Sequence, residues 1–195
     1  RAEEAATSKL PTQAISSIAE QLEAEEKIFR GAPLNEARLR ITINTILQAA
    51  FALKDYAHVQ SQVERHLKVD MPRRKPTRTI NGVADYAIWY GNNPHNEANC
   101  ICLVEAKDMK HDGFSQVLGY MGVVLETRER AGCSHRDIWG IATNSKDWRF
   151  LRLEKNRNFS SLQFSTRNNQ LPQILLVLSS IIGQTAILSP TVSRS

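Results

Sequence analysis

Two stretches near the start of the chain carry apolar residues at three- and four-residue steps, which is the spacing of one face of an α-helix. The first covers residues 11–29 and has glutamates on its other face. The second follows Asn35, a suitable N-cap residue, and repeats the apolar stripe to about residue 53. Gly31 and Pro33 separate the two stretches. The pattern therefore predicts two amphipathic helices joined by a short turn.

The middle of the chain changes to the β-branched, aromatic and aliphatic composition that is typical of strands. The turn-rich residues 91–98 interrupt it and predict a β-hairpin, and residues 144–147 indicate a second one. The predicted strands cover residues 80–90, 99–107, 138–143, 148–153 and 162–165. Residues 56–69 fit a short helix or a strand equally well, and both interpretations stay open.

Two further helices are predicted after the first hairpin. One covers residues 113–130, with Asp112 as its N-cap, and the other covers residues 169–188 at the C-terminal end. Gly119 and Gly122 lie inside the former, where each glycine costs the helix about 1 kcal/mol relative to alanine. A close approach of this helix to the sheet is the expected compensation.

The C-terminal stretch is the longest apolar one in the chain. Polar residues and a glycine interrupt it between residues 171 and 188, whereas a membrane-spanning helix needs about 20 mostly apolar residues. A buried terminal helix is therefore expected in place of a membrane span.

Length and composition narrow the class of protein. At 195 residues a single domain is expected, because separate cores arise only past about 250–300 residues. The 42% hydrophobic and 23% charged residues exclude a disordered chain or a coiled-coil rod, and the mixture of helices and strands predicts an α/β (α+β) fold. A net charge of +5 favours a polyanionic partner, so nucleic acid and an acidic membrane surface are both open on this ground.

The cysteines and histidines predict neither disulfides nor zinc. Cys100, Cys102 and Cys133 form no even framework, and the first two are too close along one strand for an easy bridge. We therefore expect free thiols in a reducing, intracellular compartment. The five histidines are scattered without the paired spacing of a zinc site.

Residues 71–78 form a basic segment whose two prolines exclude regular structure. The basic side chains of this segment, together with one lysine further along the chain, are candidates for contacting the phosphates of a nucleic acid. These residues are Arg73, Arg74, Lys75, Arg78 and Lys110. The same run also suits a nuclear address or a solvated loop without function, and a short basic motif does not distinguish these alternatives.

Two strand positions carry acidic residues, which are depleted in strands. If the first hairpin closes around the middle of its turn, Asp85 lies opposite position 104 or 105, and Glu105 shares a face with Lys107. Directly opposed like charges destabilise a sheet, but a divalent cation reverses that penalty. Mg²⁺ takes one or two carboxylates together with waters and substrate phosphate, so a Mg²⁺ or Mn²⁺ site is predicted, with Lys107 beside the activated water.

The next helix carries Gln116 and Tyr120, an i, i+4 pair of hydrogen-bonding groups on one face. The order Asp85, Glu105-Ala-Lys107 and Gln116-x-x-x-Tyr120 resembles the PD-(D/E)xK nuclease superfamily. The Gln-x-x-x-Tyr element is similar to that of its RecB-like and phage exonuclease branches. The resemblance implies a restriction-endonuclease-like fold, in which helices flank a central mixed sheet that carries a metal-dependent site.

The resemblance also bears on two single positions. Ala84 precedes the first acidic residue, where the family pattern has proline. Glu36, in the first turn of the second helix, corresponds to the acidic residue that many members carry on an early helix, which implies a third metal ligand. The alternative for Glu36 is a capping charge, because the helix dipole favours a carboxylate there.

The resemblance covers about residues 35–155 and implies a single nuclease-like domain over residues 1–195. In that organisation residues 1–31 are a helical extension and residues 169–188 a C-terminal helix. The strands within residues 138–153 resemble those that follow the core in nuclease-like modules of fungal and oomycete effector or killer proteins.

The implied function is hydrolysis of phosphodiester bonds by a water activated by Mg²⁺ or Mn²⁺, with DNA favoured over RNA and no membrane partner. The residues to which the resemblance gives catalytic roles are Asp85, Glu105, Lys107, Gln116 and Tyr120, and the implied metal ligands are Asp85, Glu105 and Glu36. The alternative is a catalytically inactive nuclease-fold module that binds nucleic acid or a partner protein, since a fold does not establish activity.

Overall fold

The computed structural model describes residues 12–53, 59–71, 78–91, 97–107 and 113–187. Its helices are α1 (Thr12–Ile28), α2 (Glu36–Ala52), α3 (Gly113–Arg130) and α4 (Leu171–Ile187). Its strands are β1 (Val59–Met71), β2 (Arg78–Tyr90), β3 (Cys100–Ala106), β4 (Ile138–Thr143), β5 (Asp147–Leu153) and β6 (Phe159–Ser165). The predicted N-cap Asp112 lies outside the described residues, whereas Asn35 caps α2 as predicted.

The strands form one mixed sheet in the order β1-β2-β3-β4-β5-β6. Neighbouring strands are antiparallel except β3 and β4, which are parallel. Parallel neighbours need a crossover connection, and α3 supplies it. The predicted α/β (α+β) fold, a central mixed sheet flanked by helices, is therefore confirmed, with β3 as an inner strand.

The segment that fitted a helix or a strand equally well is the edge strand β1. It pairs with β2 from Val59 opposite Tyr90 to Met71 opposite Arg78. In this antiparallel ladder the backbone N–H and C=O groups of β1 form hydrogen bonds with β2, whereas in a short helix they would bond within the segment. Pairing with β2 therefore decides that the segment is a strand.

The sheet has an apolar core on each face. One core joins α1, α2 and α4 to the sheet, and its buried residues include Leu39, Ile43, Val104, Phe150 and Leu175. The other joins α3 to the opposite face, and its buried residues include Leu103, Val117, Met121 and Leu151. Burying such a side chain contributes about 1.5–3 kcal/mol. Packing from both sides therefore fixes the position of β3.

The C-terminal helix and the cysteines are as predicted. Helix α4 packs into the first core through Ile174, Leu175 and other apolar residues, and no helix in the described part of the chain is long and apolar enough to cross a bilayer. Cys100, Cys102 and Cys133 are free thiols, and the first two are buried. Burial raises the pKa of the Cys102 thiol well above its usual value.

The expected compensation for the glycines of α3 is wrong. A Cβ atom at Gly119 or Gly122 would meet nothing within 4 Å. The close approach between α3 and the sheet occurs instead at Gly140 of β4, where a Cβ atom would overlap the Met121 sulfur and lie 3.0 Å from Val117 Cγ2. The glycine that permits the close approach is therefore on the strand, and the helix fills the space with the side chains of Met121 and Val117.

Replacing Gly140 by alanine is therefore expected to lower the free energy of unfolding by about 1–3 kcal/mol, because the added methyl overpacks a buried contact. Gly119→Ala is the matched control, and it should raise the free energy of unfolding by about 0.5–1 kcal/mol because alanine is the better helix former. Urea unfolding of both variants measures the difference. Equal stability of the two variants would contradict the assigned helix–sheet contact.

Candidate active site

Asp85 lies where the ladder between β2 and β3 ends. The pairing runs up to Tyr86 opposite Val104, so the next positions along the two strands are Asp85 and Glu105, the second of the two alternatives that the hairpin predicted. The Asp85 Oδ2 atom accepts a hydrogen bond of 2.6 Å from the backbone N–H of Ala106. The carboxylate thus takes the place of a strand acceptor and is fixed against β3.

Glu105 is an almost fully buried carboxylate, with 1% of its surface exposed. Its Oε1 atom lies 3.2 Å from Lys107 Nζ, while its Oε2 atom is buried and has no hydrogen-bond partner among the described residues. Burial and the nearby charge of Asp85 raise the pKa of Glu105 to about 7, and Lys107 limits the rise. An unpartnered buried carboxylate oxygen is costly, so this arrangement favours a bound cationic group.

Lys107 follows β3 directly and holds two carboxylates. Its Nζ atom lies 3.0 Å from Glu36 Oε1 as well as 3.2 Å from Glu105 Oε1, so Glu105 and Lys107 share one side as predicted. Burial lowers the pKa of Lys107, but the hydrogen bonds to both carboxylates outweigh that effect and its pKa lies above the usual value. A Cβ atom at Gly113 would lie 3.0 Å from Lys107 Cγ, so the start of α3 packs closely against the site.

Glu36, in the first turn of α2, contacts Lys107. Within the described ranges, no group of three or more histidine, cysteine, aspartate or glutamate side chains is arranged to hold a metal ion. Glu36 makes an ion pair with Lys107. A role of Glu36 as a third metal ligand stays a prediction.

Gln116 and Tyr120 are neighbours on α3, as their spacing predicted. Gln116 Nε2 donates a 2.7 Å hydrogen bond to Tyr120 Oη, which in turn donates to the Val83 carbonyl at 3.1 Å. The tyrosine ring packs on Gly82, where a Cβ atom would overlap it. The pair therefore ties α3 to β2 two residues before Asp85.

Arg40 of α2 is part of the site and was not found by sequence reasoning. Its Nη2 atom donates a short hydrogen bond to Asp85 Oδ1, and its Nη1 atom lies 3.1 Å from Glu64 Oε1 on β1. The Tyr86 hydroxyl donates to the Arg40 carbonyl at 2.9 Å and fixes this turn of α2 on β2. The available signal was the i, i+4 spacing from Glu36, which puts both residues on one face of the helix.

The structure describes only one of the five predicted phosphate contacts. Arg73, Arg74, Lys75 and Lys110 lie outside the described residues. Arg78 begins β2, and its backbone pairs with Met71. Their role in binding nucleic acid stays a prediction.

The fold and the site define a mixed sheet flanked by helices, with two buried carboxylates and a lysine at one end of an inner strand. No model of a known protein family matches the chain, and no curated protein matches it by sequence. The function is therefore inferred from the geometry of the site and from the motif order.

Proposed function

We propose that the chain is a nuclease that depends on Mg²⁺ or Mn²⁺ and hydrolyses phosphodiester bonds, with DNA as the favoured substrate. The observation that carries the proposal is the buried Oε2 atom of Glu105, which lacks a hydrogen-bond partner in the described part of the chain, beside the Asp85 carboxylate. Two acidic side chains at adjacent strand ends repel each other unless a cation lies between them.

The residues present fit such a cation. Asp85 and Glu105 supply oxygen ligands, and hard divalent cations take one or two carboxylates and complete their shell with waters and substrate phosphate. When bound, the cation would supply Lewis-acid activation of water and would neutralise charge on the phosphate.

The chain's own side chains have separate tasks in this proposal. The Lys107 ammonium, held by Glu36 and Glu105, stabilises the negative charge that develops on the attacking oxygen and the phosphate. Gln116 and Tyr120 fix α3 against β2 beside Asp85. This arrangement follows the motif order of the PD-(D/E)xK nucleases.

A polyanionic substrate agrees with the charge of the chain. The net charge is +5, and we propose that the basic residues Arg73, Arg74, Lys75, Arg78 and Lys110 contact phosphates.

The direct test is incubation of labelled linear and circular DNA with the protein in Mg²⁺ and in Mn²⁺. We expect cleavage by the native protein and none by Glu105→Ala, because the variant lacks the buried carboxylate that is proposed to bind the cation. Glu20→Ala, at an exposed position of α1, is the control and should cleave normally. Absence of product from the native protein with both metals, or equal cleavage by Glu105→Ala, would reject the nuclease proposal.

A second candidate is a catalytically inactive module that binds nucleic acid or a partner protein. The observation in its favour is that each acidic residue already has a cationic neighbour: Arg40 for Asp85 and Lys107 for Glu105. This alternative predicts DNA affinity that falls steeply with salt, without any product. Affinity that is equal at low and high salt would count against a nucleic-acid partner.

A further inference from the structure

Both oxygens of Asp85 are engaged by the protein itself. Oδ2 accepts from the Ala106 N–H at 2.6 Å, and Oδ1 accepts from the Arg40 guanidinium. The Asp85 side chain is only 7% exposed. A cation that binds Asp85 therefore meets a positive charge in direct contact with its ligand, and like charges repel most strongly where water is largely excluded.

Arg40 has a second acidic neighbour, which lies on the edge strand. The pairing of β1 with β2 passes from Val63 opposite Tyr86 to Arg65 opposite Ala84 in one register, so Glu64 lies opposite Asp85. Glu64 has a φ of 55°, a left-handed conformation that is unfavourable for a residue with a side chain. In this position across from Asp85, the Glu64 Oε1 atom lies 3.1 Å from Arg40 Nη1.

We propose that Arg40 is a counter-ion of Asp85 that competes with the divalent cation for this carboxylate. When the cation binds, the Arg40 guanidinium leaves Asp85 and stays paired with Glu64. The inference rests on the proposed metal-dependent function and adds a determinant of its cation affinity. In the structure Arg40 neutralises Asp85, and loading of the cation requires the guanidinium to leave Oδ1. Arginine suits this role because it stays charged at any working pH, so the exchange responds to cation concentration.

Two substitutions shift this competition in opposite directions. Arg40→Met removes the competing charge and keeps an apolar side chain, and the Tyr86 contact persists because it uses the backbone carbonyl. Glu64→Gln removes the negative charge that retains the released arginine, and Glu64 is exposed enough for this change to leave the core intact. Arg38→Met is the matched control: Arg38 lies on the same helix, pairs with Glu26, and its loss changes the net charge equally.

The test is isothermal titration of the full chain with Mn²⁺ in the absence of DNA. We expect the Kd for Mn²⁺ to fall at least about tenfold in Arg40→Met and to rise about threefold in Glu64→Gln, with Arg38→Met within about twofold of the native value. The melting temperature with and without Mn²⁺ is the second readout, and the cation should raise it most in Arg40→Met.

The outcomes separate this inference from the proposed function. If the Glu105→Ala variant binds Mn²⁺ as tightly as the native chain does, the proposed metal site is wrong, and the inference about Arg40 fails with it. If binding depends on Glu105 but Arg40→Met binds Mn²⁺ no more tightly than Arg38→Met, only the role of Arg40 is overturned. Should Arg40→Met not fold, an unchanged or lower Kd in Glu64→Gln overturns the inference by itself.

Discussion

Replacement of Lys107 by alanine is expected to lower the rate of DNA cleavage about 10²–10⁴-fold and to leave the affinity for DNA within about threefold of the native value. Lys107 is partly buried and lies 3.2 Å from Glu105 Oε1 and 3.0 Å from Glu36 Oε1. Its ammonium group is therefore paired with two carboxylates, and we expect it to contribute little to the attraction of DNA by the other basic residues. Its loss removes stabilisation of the charge that develops during cleavage but removes only one cation from a chain of net charge +5.

The measurement is the single-turnover rate at saturating DNA, with affinity from fluorescence anisotropy in Ca²⁺ or without metal. Lys155→Ala is the matched control, since Lys155 is an exposed lysine just beyond β5. It should change neither quantity beyond about twofold. A parallel loss of affinity and rate in Lys107→Ala would instead assign this lysine to DNA binding, and an unchanged rate would remove it from the chemistry.

Replacement of Arg128 by methionine is expected to lower the free energy of unfolding by about 3–5 kcal/mol. Arg128, in the last turn of α3, is only 7% exposed. Its Nε atom donates to the Ala98 carbonyl at 2.9 Å, and Nη1 and Nη2 donate short hydrogen bonds to the carbonyls of Asp137 and Cys100. One guanidinium thus joins the end of α3 to the starts of β3 and β4.

The magnitude follows from the number and type of these bonds. Hydrogen bonds from a charged group contribute about 1.5–3 kcal/mol each, and the cost of burying the guanidinium offsets part of the sum. Burial lowers the pKa of Arg128, because removing the charged guanidinium from water costs free energy. A loss of this size is a large share of the roughly 5–15 kcal/mol that stabilises a typical domain.

Urea unfolding at constant pH measures this loss. Arg130→Met is the control, because Arg130 lies on the same turn and makes an i, i+4 ion pair with Glu126 at the surface. Such a pair contributes at most about 1 kcal/mol. If Arg128→Met were no less stable than Arg130→Met, the three carbonyl contacts would have no net effect on stability.

The candidate site was predictable as far as its residues are close in sequence. Symmetric closure of the hairpin put Asp85 opposite position 104 or 105, and the irregular pairing between Ile88 and Trp89 then brings Glu105 to that place. The contacts of Glu105 with Lys107 and of Gln116 with Tyr120 follow from the periods of a strand and a helix.

The rest of the site depends on contacts between distant segments. Arg40 reaches Asp85 from 45 residues earlier in the chain, and Glu64 lies near Arg40 because β1 pairs with β2 in a register that puts Glu64 opposite Asp85. Neither contact has a local pattern, because the residues meet only after α2 has packed on the sheet and β1 has paired with β2. The same reason applies to Arg128, whose acceptors lie in other elements.

The sequence by itself determined the helices and the hairpins, and it narrowed the position opposite Asp85 to 104 or 105, since each depends on periodicity, capping or a turn. Only the tertiary structure decided that residues 59–71 form a strand, that β3 and β4 are parallel neighbours, and that α3 approaches the sheet at Gly140. It also decided that an arginine holds Asp85. These features arise from packing and pairing between segments far apart in the chain, and local residue preferences carry no information about which segment the partner is.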